Sequence, residues 1–400
     1  MQPYASRHIA KPSEVLGRRL RACPLPRRAG LLGAAFAAAA LARVSPGAEV
    51  SADSERTGGE LYHWACASCH GTVGQGAPES QVGFDVPLPD FADCSFASRE
   101  PNADWVAVAH DGGPVRGFSE LMPAFRDAMT VEQLDSTLDH IRTFCGDEDW
   151  PRGELNLPRA LVTTKAYPED EAVVTTSVAT EGPAAIGTEF VYERRFGARN
   201  QWELAVPLEW HETEAGAPGG DGDWSSGLGD VALGLKRAVW HSLERGGILS
   251  LAAEVLLPTG DEDRGFGSGT VLFEPFVAYG QILPAEFFLQ AQAGFGLPWD
   301  TDRVEEEAFG RLALGRSFSQ NRWGRTWSPM VELLADRELT SDADTNWDIV
   351  PQLQVTLNTR QHLMANAGLR IPADDDDDRH TTAIVYFLWD WFDGGLTEGW

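Results

Sequence analysis

Two thiols and an imidazole stand together at Cys66-Ala67-Ser68-Cys69-His70. That C-x-x-C-H spacing is the one haem attachment uses: two thiols bond the porphyrin vinyl groups, and the adjacent imidazole takes the proximal iron position. Zinc is the competing chemistry, but it needs a second ligand pair at metal spacing, and Cys94 and Cys145 stand alone. The motif predicts one covalent haem c on Cys66, Cys69 and His70.

Thioether attachment occurs outside the cytoplasm, so an export signal should precede the motif. Residues 1–48 read as a leader, with Arg27-Arg28, an apolar run from Ala29 to Ala40, and small residues around Ser45 to Ala48. The apolar run is too short for a membrane-spanning helix, and Cys23 would leave with the leader. The leader holds 8 Lys/Arg and one Glu, so the mature chain carries 24 basic against 59 acidic side chains, near −35. Nucleic acid and anionic surfaces are excluded as partners on that charge. In an oxidising compartment Cys94 and Cys145 are candidates for a disulfide, with two buried free thiols as the alternative.

Residues 49–150 have the length of one small domain. An amphipathic stretch from Ser54 to Ala65 leads into the motif, and Thr130 with Gln133 forms a capping box ahead of Val131, Leu134, Leu138, Ile141 and Phe144 at helical spacing. The intervening loops are rich in Gly and Pro, suited to wrapping a flat cofactor.

These residues resemble the class I c-type cytochromes. The carriers are Cys66 to Gly71, Gly74-Gln75-Gly76-Ala77-Pro78, and Leu121-Met122-Pro123-Ala124-Phe125 before a terminal helix. The resemblance implies an all-α fold in which the first and last helices cross beside the haem, with Gly58 and Tyr62 at the crossing and Pro78 behind the proximal imidazole. Met122, 52 residues beyond His70 in a Pro-flanked loop, is the preferred sixth ligand over Met129 and His110. A thioether there raises the potential and favours electron transfer over oxygen chemistry. Trp105 and Arg116 are candidates for the haem propionates.

Residues 151–170, with Pro151, Pro158 and Pro168, read as a linker, and from 171 to 400 alternation replaces helical periodicity. Trp202, Leu204, Val206, Leu208 and Trp210 share one strand face; Glu203, Ala205 and Glu209 share the other. The runs make about twelve strands, many long enough to cross a bilayer when tilted, which takes roughly 9–11 residues. Connections alternate between short ones (197–200, 241–246, 282–285, 319–325, 358–361) and long, acidic ones ending at 374–378. The short set carries Arg199, Arg245, Arg322, Arg325 and Arg360. Eleven of the 14 tryptophans lie in this half, many near strand ends. This is the layout of an antiparallel transmembrane β-barrel with interfacial girdles, the alternative being a soluble sandwich.

The second half is similar to outer-membrane barrels grouped with meta-pathway phenol-degradation transporters, through Tyr192-Glu193-Arg194-Arg195-Phe196-Gly197 and Trp202-Glu203-Leu204. The multidomain plan resembles fused porin–cytochromes, some of which oxidise ferrous iron at the cell surface. Electron transfer by one haem is the expected function, with the cytochrome tethered at the periplasmic mouth of an outer-membrane barrel. The expected partners are periplasmic redox carriers and outer-membrane lipid, with a small solute or metal ion as a further candidate. The alternatives are a redox-linked porin and a surface iron oxidase. Twelve strands should enclose a narrow polar lumen, closed or conducting, lined by Glu203, Glu209, Glu254, Glu274, Glu332, Arg311 and Arg316.

Overall fold

The computed structural model describes residues 56–212, 224–374 and 379–390. The leader over 1–48, the acidic tip at 375–378 and the tail from 391 to Trp400 lie outside them. Six helices open the described chain: α1 Gly58–Ala65, α2 Ala67–His70, α3 Glu79–Val82, α4 Cys94–Ala97, α5 Asn102–Asp111 and α6 Val131–Arg142. Reciprocal capping boxes start α1 (Thr57 with Glu60) and α6 (Thr130 with Gln133), fixing where the two outer helices begin. They cross at Gly58, where a Cβ would fall 1.9 Å from the Ser136 carbonyl oxygen. Beside the crossing, Tyr62 is fully buried and its ring lies 5.1 Å from Phe144.

Cys94 and Cys145 are bonded to each other, 51 residues apart in sequence. Closing a loop of that length stabilises a domain by roughly 4 kcal/mol in the chain-entropy account. Replacing both cysteines with serine should therefore lower the melting temperature of the helical region and leave the barrel's heat-modifiable gel migration unchanged. An unaltered helical melt would remove the bridge from the stability argument.

Among the described residues twelve antiparallel strands come next. They are Glu171–Ala179, Ala185–Phe196, Asn200–Glu212, an interrupted strand Trp224–Leu228 and Val231–Ser242, Gly247–Leu257, Leu272–Ile282, Phe287–Pro298, an interrupted strand Glu307–Arg316 and Phe318–Ser319, Thr326–Glu338, Thr345–Thr356, Leu363–Pro372, and Thr382–Asp390. Each pairs with its neighbours, and the last pairs with the first in the register Glu171 to Asp390, so the sheet closes. The alternation has a definite sense. Trp202, Leu235, Leu251, Phe273, Leu314 and Phe387 are exposed on the outer wall, while Glu203, Gln292, Glu332 and Gln354 are buried inside. A soluble sandwich would bury the apolar face. The observed inversion is that of a membrane barrel. Arg316 departs from the expected inward set: it lies five positions from Arg311, an odd spacing that puts it on the outer face, stacked over Phe287.

The linker is not a free tether. It enters the lumen and fills much of it, and the wall side chains satisfy its backbone. Glu332, fully buried, accepts from the amides of Val162 and Thr163 (3.1 and 2.6 Å), from the Thr163 hydroxyl (2.5 Å) and from Gln352. Gln352 takes the Leu161 amide at 2.9 Å and Gln292 the Thr164 amide at 3.0 Å. Lys236 and Ser250 donate to the carbonyls of Lys165 and Ala166, and Tyr386 to that of Arg159. A buried chain segment without sheet partners needs such an account of its polar groups. Removing the Glu332 carboxylate would strand two buried amides at about 1–3 kcal/mol each. Leu155, Leu157, Leu161 and Val162 pack among inward residues of the wall. Both ends of the segment return to one mouth, where the Tyr167 hydroxyl donates to the Pro151 carbonyl at 3.1 Å.

The short strand connections surround that same mouth, and they hold the helical domain. Arg116 donates to the Trp323 carbonyl at 2.6 Å, Arg322 to His110 at 3.1 Å, and Arg199 pairs with Asp149 at 2.6 Å. His362 meets Glu100 at 3.0 Å, and Arg360 lies over the Phe118 ring. The indole of Trp323 packs against the helical core around Phe91 and Val106. The basic character of the short turns thus answers the acidic helical domain.

Candidate haem-binding site

The thiol pair and imidazole sit where α1 breaks into α2. Cys66 ends α1, its amide bonded to the Tyr62 carbonyl, and the amides of Cys69 and His70 fold back on the Cys66 carbonyl at 3.1 and 2.9 Å. That single turn presents both thiols and the ring from one short segment. Three hydrogen bonds hold the turn in place. The Tyr62 hydroxyl donates to the Gly71 carbonyl at 2.6 Å, and Gly76 and Ala77 bond back to His70 and Cys69. Gly71 has a φ of +77°, a conformation glycine adopts without penalty, and it turns the chain away from the ring.

Burial draws the His70 pKa down to about 4, so the imidazole is neutral with a lone pair available. Its Nδ1 is buried without a hydrogen-bond partner. Burial and the neighbouring Cys69 push the Cys66 thiol up to about 11, the opposite of a preformed metal–thiolate site. Both cysteines are free. Phe91 lies 5.0 Å from the His70 ring and 5.1 Å from Trp105, an apolar aromatic wall. Free thiols, an unsatisfied neutral imidazole and an aromatic lining fit a covalently bound porphyrin.

The Met122 loop is pinned to the end of α5. Gly113 donates to the Met122 carbonyl at 3.0 Å, and Phe125 and Arg126 bond back to Ala109 and His110. The competitors for the sixth position are engaged elsewhere. Met129 is buried with Leu61 and Leu134, and the ring nitrogens of His110 meet Asp111 and Arg322. Trp105 is covered by Arg142, 3.7 Å from its ring centre, and Arg116 is spent on Asp104 and the barrel turn. Pro78 starts α3, its carbonyl accepting from Gln81.

Sequence reasoning missed the docking residues Trp323, Arg322 and His362, and the lumen role of 155–169. The short-turn arginines were the visible hint of the first. The Leu155, Leu157, Leu161, Val162 pattern, too apolar for a free spacer, was the hint of the second.

Fold and site together define a class: a cytochrome c-type domain joined to a closed, twelve-stranded outer-membrane-type barrel. Residues 168–374 match the family described as putative MetA-pathway of phenol degradation, more than half of the chain, and the protein belongs to that family. Residues 53–141 match the family described as cytochrome c oxidase, cbb3-type, subunit III. Among solved structures, an outer membrane channel from Pseudomonas putida F1 is 12% identical, covering 58% of this chain and 99% of its own at a TM-score of 0.42. The KdgM porin is 9% identical over 55% and 98%, with a TM-score of 0.35. The beta domain of the Bordetella autotransporter BrkA is 15% identical over 55% and 98%, at 0.36. The comparison with curated proteins gave no match.

Proposed function

We propose that the protein transfers electrons through one covalent haem c held at the periplasmic face of the outer membrane by its barrel. In this reading Cys66 and Cys69 form the thioethers, His70 is the proximal ligand and Met122 the distal one. The haem supplies a one-electron couple. The chain's own residues position it: Tyr62 and Gly71 fix the attachment turn, and the short turns clamp the domain to the barrel mouth. The observation that carries the reading is the buried, unpartnered His70 nitrogen next to two free thiols. The protein acts as an electron carrier rather than an enzyme, exchanging with soluble periplasmic redox proteins.

Bacterial outer-membrane barrels place their short turns on the periplasmic side, which supports a periplasmic haem here. The lumen filled by the linker weighs against an open porin. It also gives an external metal ion no path to the haem, which weighs against surface iron oxidation. The test is production in a host competent for cytochrome c maturation, followed by outer-membrane extraction. One haem per chain in an alkaline pyridine spectrum, retained on denaturing gels and reducible by periplasmic-side donors, is expected. A colourless or detergent-independent product would end this reading.

A further inference from the structure

We infer that the barrel is a cation channel held shut by its own linker. Three observations meet. First, the lumen is filled by residues 155–169, a segment separate from the wall, and it is held largely by side-chain hydrogen bonds from the wall to its backbone. Water can replace each of those bonds, so the lumen stays solvated rather than collapsing when the segment leaves.

Second, the wall carries a row of six inward carboxylates in register, interrupted at one strand by Gly234. Asp390 pairs with Glu171, Glu171 with Glu193, Glu193 with Glu203, Glu203 with Gly234, Gly234 with Glu254, and Glu254 with Glu274. Strands in a closed barrel tilt, so a row of partners across them climbs the wall. Here it climbs from the linker mouth, where Glu171 begins its strand, towards the long-loop end, where Glu274 is the third residue of the strand descending from it.

Third, the linker's own cations sit on the lower part of that row. Arg159 pairs with Glu171 and Glu193 at 2.5 and 3.0 Å, and Lys165 with Glu169 and Glu171. Higher up, Glu203 is 6% exposed and its Oε1 has no hydrogen-bond partner. It lines a cavity of about 10 Å³ with Glu254, Thr164 and Lys236, room for one small occupant. Withdrawing the linker therefore opens the lumen and removes Arg159 and Lys165 together. Lys236, Arg311, Arg195 and Arg370 remain on the wall, Arg370 already paired with Asp348, and the six carboxylates of the row outnumber them. The vacated path favours cations.

The test is ion flux through the full chain in planar bilayers bathed in a KCl gradient. The wild type should be silent. Glu332→Ala releases the apex of the linker and should raise conductance at least tenfold, with a reversal potential on the potassium side. Because Glu332→Ala can compromise folding, a second variant replaces residues 155–166 with Gly and Ser at equal length. Heat-modifiable migration selects folded barrels for both. A conducting wild type overturns the closure, silence of the folded replacement overturns the channel, and an anion-side reversal potential overturns the selectivity. None of these readouts depends on haem.

Discussion

Met122→Ala is expected to erase the weak thioether-to-iron absorption band at the red end of the spectrum and to lower the reduction potential by on the order of 100 mV, within the roughly 0.8 V range that axial ligands span. The expectation rests on the commitments of the other donors. Met129 lies in the apolar cluster of Leu61 and Leu134, and freeing it would disturb the α1–α6 packing. His110 is held by Asp111 and by Arg322 of the barrel turn. Met122 hangs in a loop pinned at Gly113 and Phe125, held in place yet outside any helix. The haem should stay attached in the variant, since Cys66 and Cys69 are untouched. Retention of the band would transfer the sixth position to another thioether, and Met129→Ala would then be the variant to measure.

Gly58→Val should abolish a stable helical domain while leaving the barrel assembled. A side chain at residue 58 begins 1.9 Å from the Ser136 carbonyl oxygen and 2.5 Å from its carbon, both backbone atoms that cannot swing aside. Overpacking of ordinary side chains costs about 1–3 kcal/mol, and a backbone clash exceeds that range. Gly59→Ala supplies the contrast: its Cβ meets the His140 ring at 3.2 Å, a side chain able to shift, and alanine gains about 1 kcal/mol of helix propensity. Circular dichroism and haem content should collapse for the first variant and hold for the second. Equal behaviour of the two would mean that the helix crossing is not set by Gly58.

The strands were legible because alternation is a local property: Trp202 and Glu203 declare opposite faces whatever lies around them. The attachment turn was legible for the same reason, its chemistry being contained in five consecutive residues. The capping boxes at Thr57 and Thr130 also act within one turn. What local pattern could not carry was company. The three prolines of 151–170 suggested a spacer, yet nothing nearby in sequence names Glu332 or Gln352 as partners, some 170–190 residues away. Arg116 is a similar case: its pairing with Asp104 is local, but its bond to the carbonyl of Trp323 lies 207 residues on and has no signal in the neighbouring sequence. Arg316 was a different failure, since counting parity from Arg311 would have placed it correctly.

The hairpin path of the segment inside the barrel bears on how the molecule is assembled. Pro151 and Tyr167 meet at one opening, so no free end needs threading through a finished ring of strands. The cylinder can seal by joining Glu171 to Asp390 and still receive the hairpin afterwards. Cofactor insertion into the helical region and membrane insertion of the strands can then proceed in either order, with docking as the last event.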